Sequence, residues 1–181
     1  MKRISVFCGS RVGAHPGYAR AARALGHGLA RRGLGLVTGG GHVGLMGVVA
    51  DAALGAGAEA IGVIPQALLD REVGHQGLSQ LHVVDTMHER KALLAGLADG
   101  FVAMPGGIGT MEELFEVWTW AGLGYHDKPV ALLNAEGYYD RLLAFLDHAA
   151  ADGFVHPEHH ARLLVGTTAE GVLDALAERL A

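Results

Sequence analysis

The sequence lacks several features that would place it in particular classes of protein. Cys8 is the only cysteine among 181 residues, so an internal disulfide is excluded and a reducing cytoplasm is expected. Charged residues make up only 18%, and acids outnumber lysine and arginine by 19 to 14. The formal charge of -5 gives no reason to expect nucleic acid or an anionic membrane as a partner. The N-terminal apolar run is too short for a signal sequence or a membrane span.

Motifs for metals and for common cofactors are also missing, so we expect neither. Eleven histidines are present, but none stands in an HExxH or Cys/His spacing. The cluster "HPEHH" (His156 to His160) predicts a surface turn and a helix start instead. No GK[ST] triplet occurs, which excludes a Walker loop. A pyridoxal-phosphate enzyme needs a Schiff-base lysine and an acidic partner for the pyridine nitrogen, and only Lys91 and Lys128 could serve.

Glycine, by contrast, is abundant: its 28 residues are about twice the usual share. Many of these glycines follow short apolar runs that predict β-strands and alternate with helical patterns. The predicted strands are Ile4–Cys8, Gly35–Thr38, Ala60–Ile64, His82–Val84, Phe101–Met104, Val130–Leu133 and, more weakly, Leu163–Val165. The predicted helices are Pro16–Arg32, Leu45–Leu54, Met87–Ala98, Thr110–Leu123, Tyr138–Asp152 and Ala169–Leu180.

The strands are nearly continuous apolar segments, a pattern typical of strands that are covered on both faces. Their alternation with helices predicts an α/β fold. We expect a single domain over residues 1–181, with a doubly wound (Rossmann-like) parallel sheet of about seven strands and helices on both faces. Ligands of such sheets bind outside the carboxyl ends of the strands, at a topological switch point. The turns that follow strands are therefore the places to look for chemistry.

The first glycine-rich turn is "LVTGGGHVGLMG". Gly39, Gly41 and Gly44 satisfy the GxGxxG spacing of dinucleotide-binding folds. That fingerprint also needs an acid at the end of the next strand, whereas Glu59 precedes its strand, so binding of NAD or FAD is not favoured. The turn either packs a helix closely or lines a nucleotide pocket.

The second glycine-rich turn is "PGGIGTMEE". Its glycines allow backbone amides to turn inward, and these amides with the positive end of a helix form an anion site. The same letters also fit a capping box, with Thr110 as N-cap and Glu113 bonding back to the backbone. Helix geometry places Glu113 off the core face, close in angle to Trp120 and Val117, which suits a site wall or a subunit contact. The local pattern leaves capping and function equally open for Glu113.

A second capping box, Thr86 with Glu89, predicts a helix start in "VVDTMHERKALL". Arg90 and Lys91 then lie near the first turn, where the helix dipole disfavours cations. The pair indicates that an anion is expected nearby, unless both side chains are simply exposed to solvent.

Together, "MHERKALL" and "PGGIGTMEE" resemble the signature of the LOG (Lonely Guy) family of cytokinin riboside 5'-monophosphate phosphoribohydrolases, often mislabelled as lysine decarboxylases. The resemblance covers nearly the whole chain, through "VFCGS", "GGGHVGLMG", "GVIP", "TWAGLGYHDKPVALLN" and "GYYD". It implies hydrolysis of the N-glycosidic bond of a nucleoside 5'-monophosphate such as AMP or an N6-substituted analogue. The products would be the free base and ribose 5-phosphate, and no cofactor would be needed.

The resemblance also implies roles for individual residues. Its catalytic residues fall on Arg90 and Glu113. Substrate contacts fall on Glu72, Lys91, Gly106, Gly107, Ile108, Gly109, Thr110, Met111 and Glu112, and we add Ser10, Gly40 and Gly41 as candidates. The family is typically dimeric, so a homodimer with the site near the subunit contact is expected. Departures include Arg11, where the family usually has a small hydroxyl residue, and Ile108, where an aromatic is frequent.

The implied chemistry agrees with the residue types. Departure of the base gives the ribose oxocarbenium character, which a carboxylate such as Glu113 can stabilise, or it can activate the attacking water. Glu72 would bind ribose hydroxyls, while Arg90 could orient substrate or Glu113, or support the leaving base. Two alternatives remain: a non-enzymatic carrier of a phosphorylated ligand, like molybdenum-cofactor carrier proteins, and the pyridoxal-phosphate decarboxylase.

Overall fold

In a computed structural model, which describes residues 2–70 and 74–180, the chain folds around one seven-stranded sheet. The strands are β1 (Arg3–Phe7), β2 (Gly35–Thr38), β3 (Ala60–Pro65), β4 (Gln80–Val84), β5 (Gly100–Ala103), β6 (Val130–Leu133) and β7 (Leu163–Gly166). All neighbours pair in parallel, in the order β4-β3-β2-β1-β5-β6-β7. All seven predicted strands are present, and the predicted parallel α/β sheet is confirmed.

Eight α-helices connect or flank the strands in the described ranges. They are α1 (Pro16–Arg31), α2 (Gly44–Gly55), α3 (Gln66–Leu69), α4 (Met87–Leu97), α5 (Ile108–Gly122), α6 (Asp140–Ala151), α7 (Pro157–Arg162) and α8 (Ala169–Leu180). A short 3-10 turn covers Ala135–Gly137. The sequence patterns missed α3 because it is a single turn, whereas the helix start predicted in "HPEHH" is α7, with His156 as its N-cap.

Two apolar cores lie on opposite faces of the sheet. Helices α1, α2 and α8 pack against one face, and helices α4, α5 and α6 contribute to the core on the other. Strand β1 shows the reason, because Ile4 and Val6 belong to one core and Phe7 to the other. Burial on both faces explains the continuous apolar strands and confirms helices on both sides. No helix among the described residues is long and apolar enough to cross a membrane.

The strand order reverses direction between β1 and β5. From β1 the chain adds strands outward through β2, β3 and β4, then returns to pair β5 on the other side of β1. The loop after β1 leads to α1 on one face of the sheet, and the loop after β5 leads to α5 on the other. This is the topological switch point at which ligands of doubly wound sheets bind.

Candidate active site

The loops after β1 and β5 touch at the switch point. The amide of Gly9 donates to the carbonyl of Pro105 at 3.0 Å. A Cβ at position 9 would lie 3.3 Å from Gly106 Cα, so glycine permits this close approach. Beside this contact lies a cavity of about 360 Å³, here called the switch-point cavity. Its lining includes Ser10, Arg11, Tyr18, Gly106, Gly107 and Tyr138.

Two tyrosines hold the glycine loop after β5. The hydroxyl of Tyr139, which is buried, donates to the carbonyl of Met104 at 2.6 Å, and that of Tyr138 donates to Gly106 at 2.5 Å. Asn134, also buried, accepts from the amide of Tyr139 at 2.7 Å and so fixes the turn that carries both rings. With two carbonyls of the loop held by hydroxyl groups, its conformation is set before any ligand arrives. In the sequence, these two tyrosines stand out only through "GYYD", a part of the family resemblance that implies no role for them.

Helix α5 begins two residues earlier than predicted. Its N-cap is Gly107, without a side-chain cap bond, and its first residue is Ile108. Thr110 is instead the third helical residue and is buried under Gly106, so of the two alternatives for Glu113 the capping box with Thr110 is excluded. The amides of residues 108 to 110 precede the first helical bond, from Met111 to Gly107, and remain available to an anion.

Because Glu113 does not cap the helix, its carboxylate is free for another partner, and that partner is Arg90. Arg90 Nη1 lies 3.2 Å from Glu113 Oε1, and both side chains are only 12% exposed. Helix α4 starts with the predicted capping box of Thr86 and Glu89, which is confirmed, and this start places Arg90 in its first turns. The guanidinium Nε also donates to the carbonyl of Val63 at 3.2 Å, at the end of β3.

The loop after β2 makes room for Arg90. A Cβ at Gly39 would overlap the guanidinium in its present position, so glycine leaves the space that Arg90 occupies. Gly40 has a φ of +78° and packs on Gly62 of β3. Gly44 has a φ of +61° and lies against the backbone of Ser10. This loop is thus a close-packing turn and also a wall of the site.

Burial is the main cause that raises the pKa of Glu113 above its ordinary value. The positive charge of Arg90 acts in the opposite direction, and neighbouring Glu112 adds to the rise. Burial also raises the pKa of the Cys8 thiol, with a smaller contribution from the charge of Glu113. Cys8 is therefore held as a neutral thiol, which fits a small core residue rather than a nucleophile. A buried carboxylate with a displaced pKa beside a fixed cation is typical of functional sites.

Lys91 points to the acids of α5 instead of into the switch-point cavity. Its ammonium donates to Glu112 at 2.6 Å and to Glu116 at 3.0 Å. Those two bonds raise the pKa of Lys91 above its ordinary value. A Schiff-base lysine needs a lowered pKa to offer a neutral amine, so Lys91 does not suit pyridoxal-phosphate chemistry. Lys128 instead donates to the carbonyl of Ala95 at the end of α4.

Most of the predicted site residues lie at this edge of the sheet. Ser10, Gly106 and Gly107 line the switch-point cavity. Ile108 is 90% exposed, and Gly109 is also exposed. Met111 packs at the edge of the core beneath α5. Gly41 forms an isolated bridge with Gly74. Glu72, the expected ribose contact, lies outside the described residues.

One cluster of possible metal ligands occurs among the described residues, formed by His42, Asp51 and His75. The amide of Gly77 donates to His75 Nδ1 at 3.1 Å, so the proton of this ring resides on Nε2. That nitrogen lies 2.9 Å from Asp51 Oδ1 and donates to it. A metal at Nε2 would need the proton on Nδ1, facing the Gly77 amide. The cluster therefore suits a hydrogen-bonded tie between loop and helix better than a metal centre.

Comparison with known proteins gives two kinds of similarity. The family described as "Possible lysine decarboxylase" matches residues 46–176. Cytokinin riboside 5'-monophosphate phosphoribohydrolase of Rhodococcoides fascians is 48% identical over 176 residues, which is 97% of this chain and 89% of the relative. An enzyme of the same name from Arabidopsis thaliana is 51% identical over 156 residues, which cover 86% of this chain and 73% of that enzyme.

Among solved structures, the molybdenum cofactor binding protein of Rippkaea orientalis superimposes with a TM-score of 0.76 at 22% identity. The alignment covers 99% of this chain and 98% of that protein. The molybdenum cofactor carrier protein of Chlamydomonas reinhardtii gives a TM-score of 0.75, also at 22% identity, over 99% and 98% of the two chains. At this identity the likeness shows a shared fold alone.

Proposed function

We propose that this chain, which belongs to the LOG family, hydrolyses adenosine 5'-monophosphates. The premise is that relatives 48% and 51% identical to it are cytokinin riboside 5'-monophosphate phosphoribohydrolases. The bond broken is the N-glycosidic bond of AMP or of an N6-substituted cytokinin riboside monophosphate. The products are the free base and ribose 5-phosphate. The observation that carries the proposal is the buried contact of Arg90 with Glu113 beside the glycine loop.

The proposed mechanism gives the two parts of the site separate tasks. The free amides at the start of α5 bind the 5'-phosphate, because amides and the positive helix end stabilise an anion without a counter-charge from a side chain. Glu113 lies one helical turn beyond Thr110, next to the sugar. As C1' loses the base it becomes cationic, and the carboxylate of Glu113 stabilises this charge or removes a proton from the attacking water.

Arg90 favours the charged form of the Glu113 carboxylate. Burial alone would protonate Glu113 more readily, and the guanidinium at 3.2 Å opposes that effect. The bond to Val63 and the space left by Gly39 fix the guanidinium in place. We therefore assign Arg90 the role of orienting Glu113 and favouring its ionised form. Family resemblance supports the further proposal that Lys91, Glu112 and Glu72 contact the substrate.

The decisive experiment is to incubate the protein with AMP and with isopentenyladenosine monophosphate and to chromatograph the products. Free base from either substrate is expected. Intact substrates, together with intact nucleosides and other monophosphates, would refute the hydrolase proposal. Tight binding of phosphorylated ligands without any turnover would favour a carrier instead.

Glu113→Gln tests the catalytic assignment. Loss of a group that acts in general base or charge stabilisation costs about 10² to 10⁴-fold in rate, so base release should fall by that factor. The fold should survive because glutamine has the same shape. Glu178→Gln is the matched control, since Glu178 is exposed on α8, far along the chain from the site. Equal activity of the two variants would remove Glu113 from the mechanism.

We also propose that the protein acts as a cytoplasmic homodimer. Exposed apolar side chains near the two ends of α5 support an interface beside the site: Ile108 is 90%, Leu123 63% and Tyr125 75% exposed. Isolated exposed apolar residues are common, but Leu123 and Tyr125 lie close together in the chain directly after α5, and such a group favours an interaction surface. Light scattering should give about twice the chain mass of 18.9 kDa. A mass of one chain at micromolar concentration would contradict the dimer.

A further inference from the structure

The switch-point cavity carries a distinct charge. Of the described residues that line it, Arg11 alone bears a charged side chain. Ser10 and Tyr18 contribute hydroxyl groups, whereas the hydroxyl of Tyr138 already donates to the carbonyl of Gly106. The remaining lining is glycine, apolar residues and backbone, and no carboxylate of the described residues lines the cavity. A cavity with one guanidinium, two further hydroxyls and no acid favours an anion.

The backbone that carries Arg11 is held in place from two sides. Gly44, at the start of α2, has a φ of +61° and packs directly on the peptide between Ser10 and Arg11. The amide of Leu45 donates to the carbonyl of Gly9 at 2.9 Å. A Cβ at Gly9 would also lie only 3.0 Å from the carbonyl of Arg11. These contacts hold the backbone of Arg11 at the wall of the cavity.

The guanidinium of Arg11 is not engaged by an acid in the described chain. No carboxylate oxygen of residues 2–70 or 74–180 lies within 4 Å of it, whereas Arg3, Arg32 and Arg90 each have such a partner. Its planar fork of donors therefore remains able to bind an incoming oxyanion in bidentate fashion.

We propose that Arg11 is a phosphate-binding residue that grips the substrate's 5'-phosphate from the side opposite the start of α5. This inference rests on the proposed function. The phosphate would lie between the Arg11 guanidinium and the glycine loop at Gly106 and Gly107. The phosphoribosyl group then extends along α5 toward Glu113.

The spacing along α5 supports this orientation. Gly106 lines the cavity and also packs on the side chain of Thr110, and Thr110 precedes Glu113 by one helical turn. At ~1.5 Å per residue, Glu113 lies about 9 Å beyond Gly107 along the axis. The sugar can therefore reach the carboxylate while the phosphate stays in the cavity. Arg11 thus determines that the substrate is a phosphate ester and does not take part in bond cleavage.

The test compares Arg11→Gln with Arg23→Gln, which removes the same charge from an exposed position on α1. A charge-assisted hydrogen bond to phosphate corresponds to about 10- to 100-fold in affinity, so KM for AMP should rise by that factor in Arg11→Gln. The value of kcat should change little, because the bond is present in both ground and transition states. Arg11→Lys should be intermediate, and Arg23→Gln should match the unaltered protein.

Binding measurements separate the sources of the anion and the failure of each proposal. Calorimetry with ribose 5-phosphate should show binding that Arg11→Gln weakens by the same factor, and this readout needs no turnover. Inorganic phosphate should compete with AMP in the unaltered protein and compete poorly in Arg11→Gln. Equal KM values for the two Gln variants, a fall in kcat alone, or non-competitive phosphate inhibition would each overturn the inference. If no monophosphate is cleaved, the ribose 5-phosphate measurement still decides the role of Arg11.

Discussion

Replacing Arg90 by glutamine is expected to move the acid limb of the activity profile to higher pH. In the unaltered protein, Glu113 must be ionised, so kcat/KM should rise with pH through the pKa of Glu113 and then level off. Burial raises that pKa and Arg90 lowers it. Removal of the guanidinium leaves the burial effect unopposed, so the pKa of Glu113 rises further and the limb follows it.

The size of the shift can be worked from the 3.2 Å separation of Arg90 and Glu113. Two unit charges at that distance, with an effective dielectric constant of about 20, interact by about 5 kcal/mol. This energy sets an upper limit of about 4 pH units on the shift of the acid limb. Water that enters the space left by the guanidinium reduces the effect, and a shift of about 1 to 3 units is expected.

The assay is base release from AMP as kcat/KM between pH 5 and pH 9. Arg90→Lys should keep the limb close to that of the unaltered protein, since it retains a charge, and Arg23→Gln serves as control for net charge. If Arg90→Gln is too slow to assay, the carboxyl ¹³C shift of Glu113 gives the same pKa, with its signal assigned by loss in Glu113→Gln. An acid limb and a titration midpoint that do not move would refute the idea that Arg90 controls this carboxylate.

Two further changes test the scaffold of the site. Tyr138→Phe removes the hydroxyl that donates to the Gly106 carbonyl. Loss of one hydrogen bond costs about 0.5–1.5 kcal/mol, so KM for AMP should rise ~2- to 10-fold while kcat stays the same. An unchanged KM would contradict a positioning role for Tyr138. Gly44→Ala combines a positive φ with overlap of the Ser10 backbone, so it should destabilise by at least about 2 kcal/mol and lower Tm by ~4–8 °C in a thermal scan. Gly55→Ala, at the open end of the same helix, should leave Tm level or raise it, and equal Tm values for both variants would contradict the packing argument.

The sequence predicted the sheet well because its signals there are strong and local. Strands buried on both faces must be continuously apolar, and glycine marks the turns where two backbones meet, as at Gly9 and Gly106. The capping box at Thr86 was predicted equally well, because its helix begins in an exposed stretch where no tertiary contact competes with the cap. Local patterns suffice where tertiary contacts do not intervene.

At Thr110 the same kind of pattern gave the wrong helix start. The letters fit a capping box, but the helix begins earlier because Gly107 can adopt the cap conformation and Thr110 is buried under Gly106. The contact between Glu113 and Arg90 joins α5 and α4, which pack on the same face of the sheet, and no spacing in the sequence encodes that distance. The resemblance implied the pair, and the fold adds that Gly39 leaves the space that the Arg90 guanidinium occupies.

The distribution of charge at the carboxyl edge matches the polarity that a phosphoribosyl group acquires during hydrolysis. Around Glu113, two cations (Arg90 and Lys91) lie among three carboxylates (Glu112, Glu113 and Glu116), so this cluster is net negative when all are ionised. Lys91 pairs with the two outer acids, which limits how far they raise the pKa of Glu113. The switch-point cavity is net positive instead. A ligand with a dianion at one end and a developing cation at the other is stabilised at both ends, and its cation forms only as the base departs. With the substrate in the proposed orientation, the site therefore favours the transition state over the bound substrate, which is the condition for a faster reaction.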